Sequence, residues 1–448
     1  MTSYQKLYPL ILNHKKIIAV YGLGNVGGPL AAAWLRAGAK VIGVDISHEL
    51  LSEIRKGKSH KKEPFVSETF TKAIAKNNLS ITSNGVEASR KSQIKIAAVP
   101  VALKRNKIDL KALISVSKDI AVGLKKGDAV IISPSLPPGT CRSLILPILE
   151  QKSNLKVERD FYLIYNPERI FEGKALLDIE FNYPAIVAGF GQNSTCFGKE
   201  LLKMISKKGV LTMASLENAE AEKLFEGVYR DVNIALANEL AEYCEKSGVD
   251  YWDARKAANS QPFCHLHYPG TGVGGLCIPV YPKFIIGEAL KMRMHLKMLE
   301  FARSTNDFMP VKCVSDAWSL LRKNKTSGKH HRIAVLGLGF RGEVTDSRLS
   351  PTYIVVKEFL KKDCRVAVHD PYITKDDLLP SEVMLSTDLN SVVNKADLIF
   401  ISSDHKLYSK LNKKSFSKAN RPVLIFDGRN ILNRKNFKNI NILTIGIR

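Results

Sequence analysis

Two stretches of this chain combine residue types and spacing that can do chemistry: Gly22-Leu-Gly24-Asn25-Val26-Gly27 and Gly270-Thr-Gly272-Val-Gly274-Gly275-Leu-Cys277. In the first, Gly22 permits a tight turn, Gly24 lets backbone approach a pyrophosphate, and Gly27 lets a helix pack on a strand. Asp45 follows 18 residues after Gly27. That is close to the spacing of an acid that accepts both hydroxyls of a ribose, and its charge repels a 2′-phosphate, so NAD is favoured over NADP. In the second stretch, four glycines in six positions exclude a helix or a packed strand. They let backbone wrap closely around a ligand and present Cys277 at its end. A thiolate beside a nicotinamide can trap an aldehyde as a thiohemiacetal, and a nearby cation such as Lys223 favours the thiolate. The plainer reading of Cys277 is a buried structural cysteine after a flexible loop.

The elements that must position these residues are legible around them. Ile17–Val20 reads as a buried strand, Pro29–Ala37 as a helix stopped by Gly38, and Lys40–Val44 as a second strand ending at Asp45. Strand, glycine turn, helix, strand, acid is a dinucleotide-binding unit in order. The plan recurs at Ile333–Leu336, Gly337-Leu-Gly339-Phe-Arg341-Gly342, a helix over Tyr353–Leu360, and a strand Arg365–His369 closed by Asp370. There the acid comes 28 residues after Gly342 and precedes a proline. This points to a different nucleotide, with Arg341 and Arg348 facing phosphates; surface arginines are the bland alternative. Further strands run over Ile94–Val99 before Pro100, Ala129–Ser133 before the Pro-rich turn that holds Ser135, Tyr162–Tyr165 before Asn166-Pro167-Glu168, Leu398–Ser402 and Val423–Asp427. Such turns mark the carboxyl edge of a parallel sheet, where ligands bind. Ser215–Gly248 reads as one long helix with Ala221, Leu224, Phe225, Val228, Val232, Ala235 and Leu236 on its apolar face. Lys323–His331 reads as a polar loop into the second half. The fold class is α/β, with two Rossmann-like domains joined by a long central helix or helical domain. The expected boundaries are 1–210, 211–310 and 311–448.

The chain has 448 residues, with 67 Lys and Arg against 43 Asp and Glu, a net charge of +24. At 45% hydrophobic and 25% charged residues, it is neither disordered, collagen-like nor a coiled coil. No apolar run approaches the roughly 20 residues of a membrane span, and a soluble cytoplasmic protein is expected. Seven scattered cysteines form no CxxC pair, so neither a metal site nor a disulfide framework is indicated. The basic excess is mostly dispersed lysine, with small clusters such as Arg55, Lys56, Lys58, Lys61 and Lys62, and no aromatic-basic interleaving. A specific nucleic-acid partner is therefore not expected, and attraction of anionic nucleotide ligands is.

Taken together, these residues resemble the nucleotide-sugar 6-dehydrogenases, the UDP-glucose and UDP-N-acetylhexosamine dehydrogenase family. The resemblance runs through Gly22 to Asp45, Val99-Pro100, Pro137-Pro-Gly-Thr140, Asn166-Pro-Glu168, Ala219-Glu-Ala-Glu-Lys223, Gly274-Gly-Leu-Cys277, Asp346-Ser-Arg348-Leu-Ser-Pro351 and Asp427-Gly-Arg429. Arg230–Leu240 is similar to the N-acetylhexosamine branch more than to the glucose branch, while Glu172 matches a glutamate common in the latter. The resemblance implies a homodimer formed through the helical linker, NAD as cofactor and a UDP-sugar as substrate. The C6 alcohol would be oxidised twice. Cys277 would carry the thiohemiacetal and then a thioester, Glu168 would assist the hydrolytic water, and Lys223 would stabilise oxyanions. Ser135 stands where the family usually has a threonine that holds this water. Arg348 would contact NAD. The substrate would lie against Glu168, Arg169, Glu172, Lys223, Gly272, Gly274, Gly275, Arg341 and Arg429.

Four positions depart from that pattern. Tyr281 replaces an aspartate four residues after the cysteine, and Gly227 replaces an asparagine four residues after the lysine. Phe263 and Tyr268 stand where basic residues are common. Losing the carboxylate and the amide is expected to slow the chemistry, since one oxyanion donor is worth about 10²–10³ in rate. Three readings stay open: a UDP-N-acetylhexosamine 6-dehydrogenase (substrate UDP-ManNAc or UDP-GlcNAc), a UDP-glucose 6-dehydrogenase, and a catalytically weakened paralogue that binds nucleotide sugar.

Overall fold

A computed structural model describes residues 7–59, 63–104, 107–324 and 330–447. Lys61 and Lys62 of the basic cluster, and residues 325–329 of the expected loop, lie outside it. The chain divides into two compact units, Met1–Phe225 and Glu226–Arg448.

The strands of the first unit are β1 (Ile18–Tyr21), β2 (Val41–Val44), β3 (Leu79–Thr82), β4 (Ile94–Ala97), a small antiparallel ribbon of β5 (Ala102–Lys104) and β6 (Lys107–Asp109), then β7 (Asp128–Ile132), β8 (Phe161–Tyr165), β9 (Ala185–Gly189) and β10 (Val210–Thr212). Eight of them form one sheet in the order β10-β9-β8-β7-β4-β1-β2-β3. Every pairing is parallel except β8 with β9. Side chains alternate across the pleat. Ile18 and Val20 enter one core while Ala19 and Tyr21 enter the core on the other face. Both faces being covered explains the unbroken apolar strands. The register matters most for function: Tyr21 pairs with Val44 and with Ala97, Ala97 with Ile132, and Ile132 with Tyr165. The turns at Gly22, Asp45, Ala98–Pro100, Ser133–Ser135 and Asn166–Glu168 therefore leave the sheet at one edge.

The second unit repeats this with β11 (Arg332–Leu336), β12 (Arg365–His369), β13 (Met384–Ser386), β14 (Leu398–Ile401), β15 (Leu424–Asp427) and β16 (Asn441–Thr444). The sheet is parallel throughout, in the order β13-β12-β11-β14-β15-β16. Leu336 pairs with His369 and Ile401, and Ile401 with Asp427. That register brings the turns at Gly337, Asp370, Ser402 and Gly428 to a common edge.

The long helix forms over Leu216–Ser247, and a second one over Lys297–Lys323 ends at the residue where the polar loop was expected to start. The expected apolar face of the long helix is corrected. Phe225 and Leu236 are exposed, whereas Glu220, Lys223, Asp231 and Asn238 are buried. The polar residues can turn inward because partners meet them there. Asp231 accepts from the Arg303 guanidinium and from Asn306 Nδ2, the latter at 2.9 Å. Asn238 donates to Asn306 Oδ1 at 2.9 Å. Among the described residues, no helix is long and apolar enough to cross a membrane.

Candidate active site

The first glycine turn has the shape its sequence requires. Gly22 adopts φ +85° and donates from its N–H to the Val44 carbonyl at 2.7 Å. A Cβ on Gly27 would lie 1.7 Å from the Gly22 carbonyl oxygen, so the helix Gly27–Arg36 starts against the turn only because no side chain is there. A Cβ on Gly24 would meet nothing within 4 Å. That space lies in front of the backbone at the N-terminus of the helix, which fits the pyrophosphate of a dinucleotide. Asn25 and Val26 lead from the open position into the helix, Val26 as its N-cap. Asp45 accepts from Leu23 N–H at 2.8 Å and Ser47 N–H at 2.9 Å yet stays half-buried, so its carboxylate is held in place and still reachable. Pro100 is exposed just beyond β4, and Ser135 is half-buried beyond β7.

Glu168 and Lys223 also belong to this unit. Glu168 follows β8 and is half-buried. Burial of its carboxyl group raises its pKa to about 7, against the opposing pull of Lys223 and Arg169, while Asp178 adds to the rise. Arg169 is held by the Pro184 carbonyl, stacks over the Tyr183 ring at 4.9 Å and lies 3.8 Å from Glu222. The Arg169 side chain is thus engaged by its own unit. Glu172 is half-buried on the following turn. Lys223 is buried on the long helix rather than solvated.

In the second unit, residues 261–280 are neither helix nor strand, and Cys277 is exposed at the end of the glycine stretch. The plain reading of Cys277 as a buried structural residue is therefore excluded. The glycines also close on the protein itself. A Cβ on Gly270 would fall 2.6 Å from Arg429 Nη1, and one on Gly272 would fall 3.0 Å from Pro310 and 3.1 Å from Pro351. At Gly274 it would lie 2.6 Å from Phe340 and 2.7 Å from the Leu349 carbonyl, and at Gly275 3.1 Å from the Phe340 ring. Gly272 and Gly275 also hold positive φ, +128° and +85°. The loop is pressed onto the carboxyl edge of the second sheet, where Gly275 N–H donates to the Arg348 carbonyl at 3.0 Å and Thr271 to the Ser402 carbonyl at 3.1 Å.

Arg429 lies on the same edge, donating to the Ser402 carbonyl at 2.9 Å. Arg341 is half-buried beside Phe340, and the exposed Arg348 chelates Asp346 through its guanidinium. The acid of the second glycine turn is used up by the protein. Asp370 is fully buried and accepts from Leu338, Gly339, Tyr372 and Ile373 N–H at 2.8–3.1 Å and from His405 at 3.3 Å. No capacity is left for a ribose, so the second turn does not repeat the chemistry of the first.

Three features escaped the sequence reading. Glu220 accepts from Cys141 N–H at 2.8 Å and Gly139 N–H at 2.5 Å, tying the long helix to the loop beside Ser135. Asn238 accepts from Gly270 N–H at 2.9 Å and so anchors the start of the glycine stretch. Polar residues seven apart at 231 and 238 in a long helix were the available signal. The third concerns two of the departures, Tyr281 and Gly227. The Tyr281 hydroxyl donates to Cys277 Sγ at 3.3 Å, and a Cβ on Gly227 would lie 2.5 Å from the Tyr281 ring.

Residues 16–208 match the NAD binding domain of the UDP-glucose/GDP-mannose dehydrogenase family, 217–308 its central domain, and 334–434 its UDP binding domain. A UDP-N-acetyl-D-mannosamine dehydrogenase from Pyrococcus horikoshii is 32% identical over 417 residues, 93% of this chain and 96% of its own length. One from Campylobacter jejuni is 31% identical, covering 88% of this chain and 97% of its own. The solved UDP-D-ManNAc dehydrogenase of Pyrococcus horikoshii matches with a TM-score of 0.88 at 30% identity, over 96% of this chain and 99% of that one. Two Rossmann-like sheets with a helical segment between them, the open glycine turn beside Asp45 and matches along the whole length agree: NAD is the cofactor, and the chain belongs to the UDP-glucose/GDP-mannose dehydrogenase family.

Proposed function

We propose that this protein oxidises the C6 hydroxyl of a UDP-N-acetylhexosamine, UDP-N-acetylmannosamine before others, to the uronic acid, reducing two NAD per sugar. The observation that carries the proposal is the exposed thiol of Cys277 at the end of a buried glycine frame. The chain is also similar along its length to UDP-N-acetyl-D-mannosamine dehydrogenases. NAD, when bound at Gly22–Gly27 and Asp45, supplies the hydride acceptor. Cys277 adds to the aldehyde carbon and holds it covalently, so the half-oxidised sugar is not released. Lys223 stabilises negative charge on the sugar oxygen, Glu168 takes a proton from the hydrolytic water, and Ser135 holds that water. Arg341 and Arg429 bind the nucleotide sugar, with Arg169 and Glu172 as supports, and Arg348 contributes to the NAD side. The functional division is 1–210 for cofactor, 211–310 for assembly and 311–448 for UDP-sugar. Assembly as a homodimer is supported by an exposed stripe of Phe225, Tyr229, Leu236 and Tyr243 on the long helix. A cytoplasmic location fits seven free thiols.

The test is NADH formation with a panel of UDP-sugars, counting NADH per sugar consumed. Two NADH per UDP-N-acetylmannosamine, with UDP-glucose a poorer substrate, is the expected result. Preference for UDP-glucose moves the assignment to the other branch. Binding of UDP-sugar without turnover of any of them makes the protein a weakened paralogue.

A further inference from the structure

Two of the four departures from the family pattern, Tyr281 and Gly227, form one contact. Tyr281 opens the helix Tyr281–Lys291, and its N–H donates to the Cys277 carbonyl at 2.9 Å, so the two residues share one turn of backbone. That turn brings the phenol back over the thiol, where the hydroxyl donates to Sγ at 3.3 Å. The ring is buried, with Phe284 at 6.4 Å between centroids. On its other side is the long helix at Gly227. A Cβ there would stand 2.5 Å from Tyr281 Cδ2, 3.1 Å from its Cβ and 3.2 Å from its Cγ. These atoms are the root of the ring, close to the backbone, so a side chain at 227 would push the ring from its place over the thiol. A tyrosine held over the thiol thus needs glycine at 227, and an asparagine there would displace it.

We propose that the two exchanges are one co-adapted device, in which the Tyr281 hydroxyl serves as a catalytic hydrogen-bond donor to the sulfur of Cys277. This rests on the covalent role of Cys277 proposed above. The step at which such a donor matters is hydrolysis of the thioester. Water attacks the carbonyl carbon and a C–O bond forms, with the proton of the water passing to the general base. Collapse of the tetrahedral adduct breaks the C–S bond, and the sulfur leaves with the bonding pair as a thiolate. The phenol O–H points at the atom on which that negative charge appears, and a hydrogen bond to a charged acceptor is stronger than one to a neutral sulfur. An aspartate at this position would present a second negative charge to the leaving sulfur unless it were protonated. A phenol, unlike a carboxylate, has an O–H to donate. The exchange therefore replaces a group suited to taking protons by one suited to stabilising the leaving group.

Tyr281→Phe removes one oxygen and keeps the ring that fills the space beside Gly227. In that variant, mixed with NAD and UDP-N-acetylmannosamine, the initial burst of NADH should persist while steady-state turnover falls about tenfold to hundredfold. Intact-protein mass spectrometry should then show a sugar-nucleotide acyl adduct absent from Cys277→Ser. Gly227→Ala, which displaces the ring, should show the same pattern. An unchanged steady-state rate with no adduct in Tyr281→Phe would overturn the proposal. So would a burst lost in step with the turnover, which would place the hydroxyl in the oxidation steps instead. Failure of the underlying reading looks different: Cys277→Ser would then complete the conversion to the uronic acid.

Discussion

In the proposed mechanism, Glu168 is the residue whose electrostatics bear most directly on rate. Burial holds its pKa at about 7 even though Lys223 and Arg169 pull it down. A general base works only when ionised, so the sign is unambiguous: activity rises as pH increases through the pKa. At pH 6 about one Glu168 in ten is a carboxylate, and the hydrolytic rate should be about tenfold below its plateau. In Glu168→Gln this ascending limb should disappear along with most of the activity; a limb unchanged in that variant would assign it to another group. Asp45 makes a second single-residue prediction. Its carboxylate is held by Leu23 and Ser47 N–H yet remains half-buried. Asp45→Asn keeps hydrogen-bonding atoms at the position but removes the charge that repels a 2′-phosphate. The NAD-over-NADP preference, measured as the ratio of kcat/KM values, should fall by roughly ten- to a hundredfold, the 1.5–3 kcal/mol of a hydrogen bond to a charged group. Tighter NADP than NAD binding by the unaltered protein would contradict the role given to Asp45.

Between elements, the contact of the long helix with Tyr281 makes a prediction about stability that is independent of chemistry. Gly227→Asn alone overpacks the ring and should cost about 1–3 kcal/mol. In a Tyr281→Asp background the same change meets no ring, and asparagine is a slightly better helix residue than glycine. The two substitutions should therefore be strongly non-additive in thermal unfolding, and additive shifts would show that the contact does not constrain the pair. A second inter-element device lies in the first sheet. Lys95 on β4 is fully buried and paired with Asp128 at the start of β7, which also accepts from Lys125 N–H at 2.8 Å. Lys95→Met would leave Asp128 buried without its cation, at a cost of about 3–5 kcal/mol, read from urea denaturation. Lys95→Met with Asp128→Leu should recover most of it.

For the molecule as a whole, the exposed apolar side of the long helix is the feature a single chain leaves unexplained. Phe225, Tyr229, Leu236 and Tyr243 lie at spacings of four, seven and seven. Phe301 and Phe308, seven apart on the helix Lys297–Lys323, are exposed too. In the proposed homodimer this stripe is covered, so Leu236→Glu combined with Tyr243→Glu should shift sedimentation from dimer to monomer. A double variant that stays dimeric would place the interface elsewhere.

Strand ends, glycine turns and the acid after β2 were legible in the sequence, because each depends on residues within one supersecondary unit. Apolar runs of four or five residues stopped by glycine, proline or acid define the strands, and parallel pairing then brings their ends to one edge. The expected strands to Val99 and Ser133 ran one or two residues long, since those residues already belong to the turns. The glycine frame ahead of Cys277 stood out in the sequence. What the frame packs against was not, because Phe340, Pro351 and Arg429 come from distant turns of the second sheet. The sequence set Asp370 apart from Asp45 by its longer spacing and the proline after it, but only the fold showed what occupies each: Asp45 stays half-open, while Asp370 is surrounded by four backbone donors and His405. The inward face of the long helix was likewise decided by partners on other segments. Tyr281 and Gly227 read as two separate losses in the sequence. Tertiary packing makes them one contact, because whether a ring fits depends on which backbone stands opposite it, and periodicity within a segment carries no information about that.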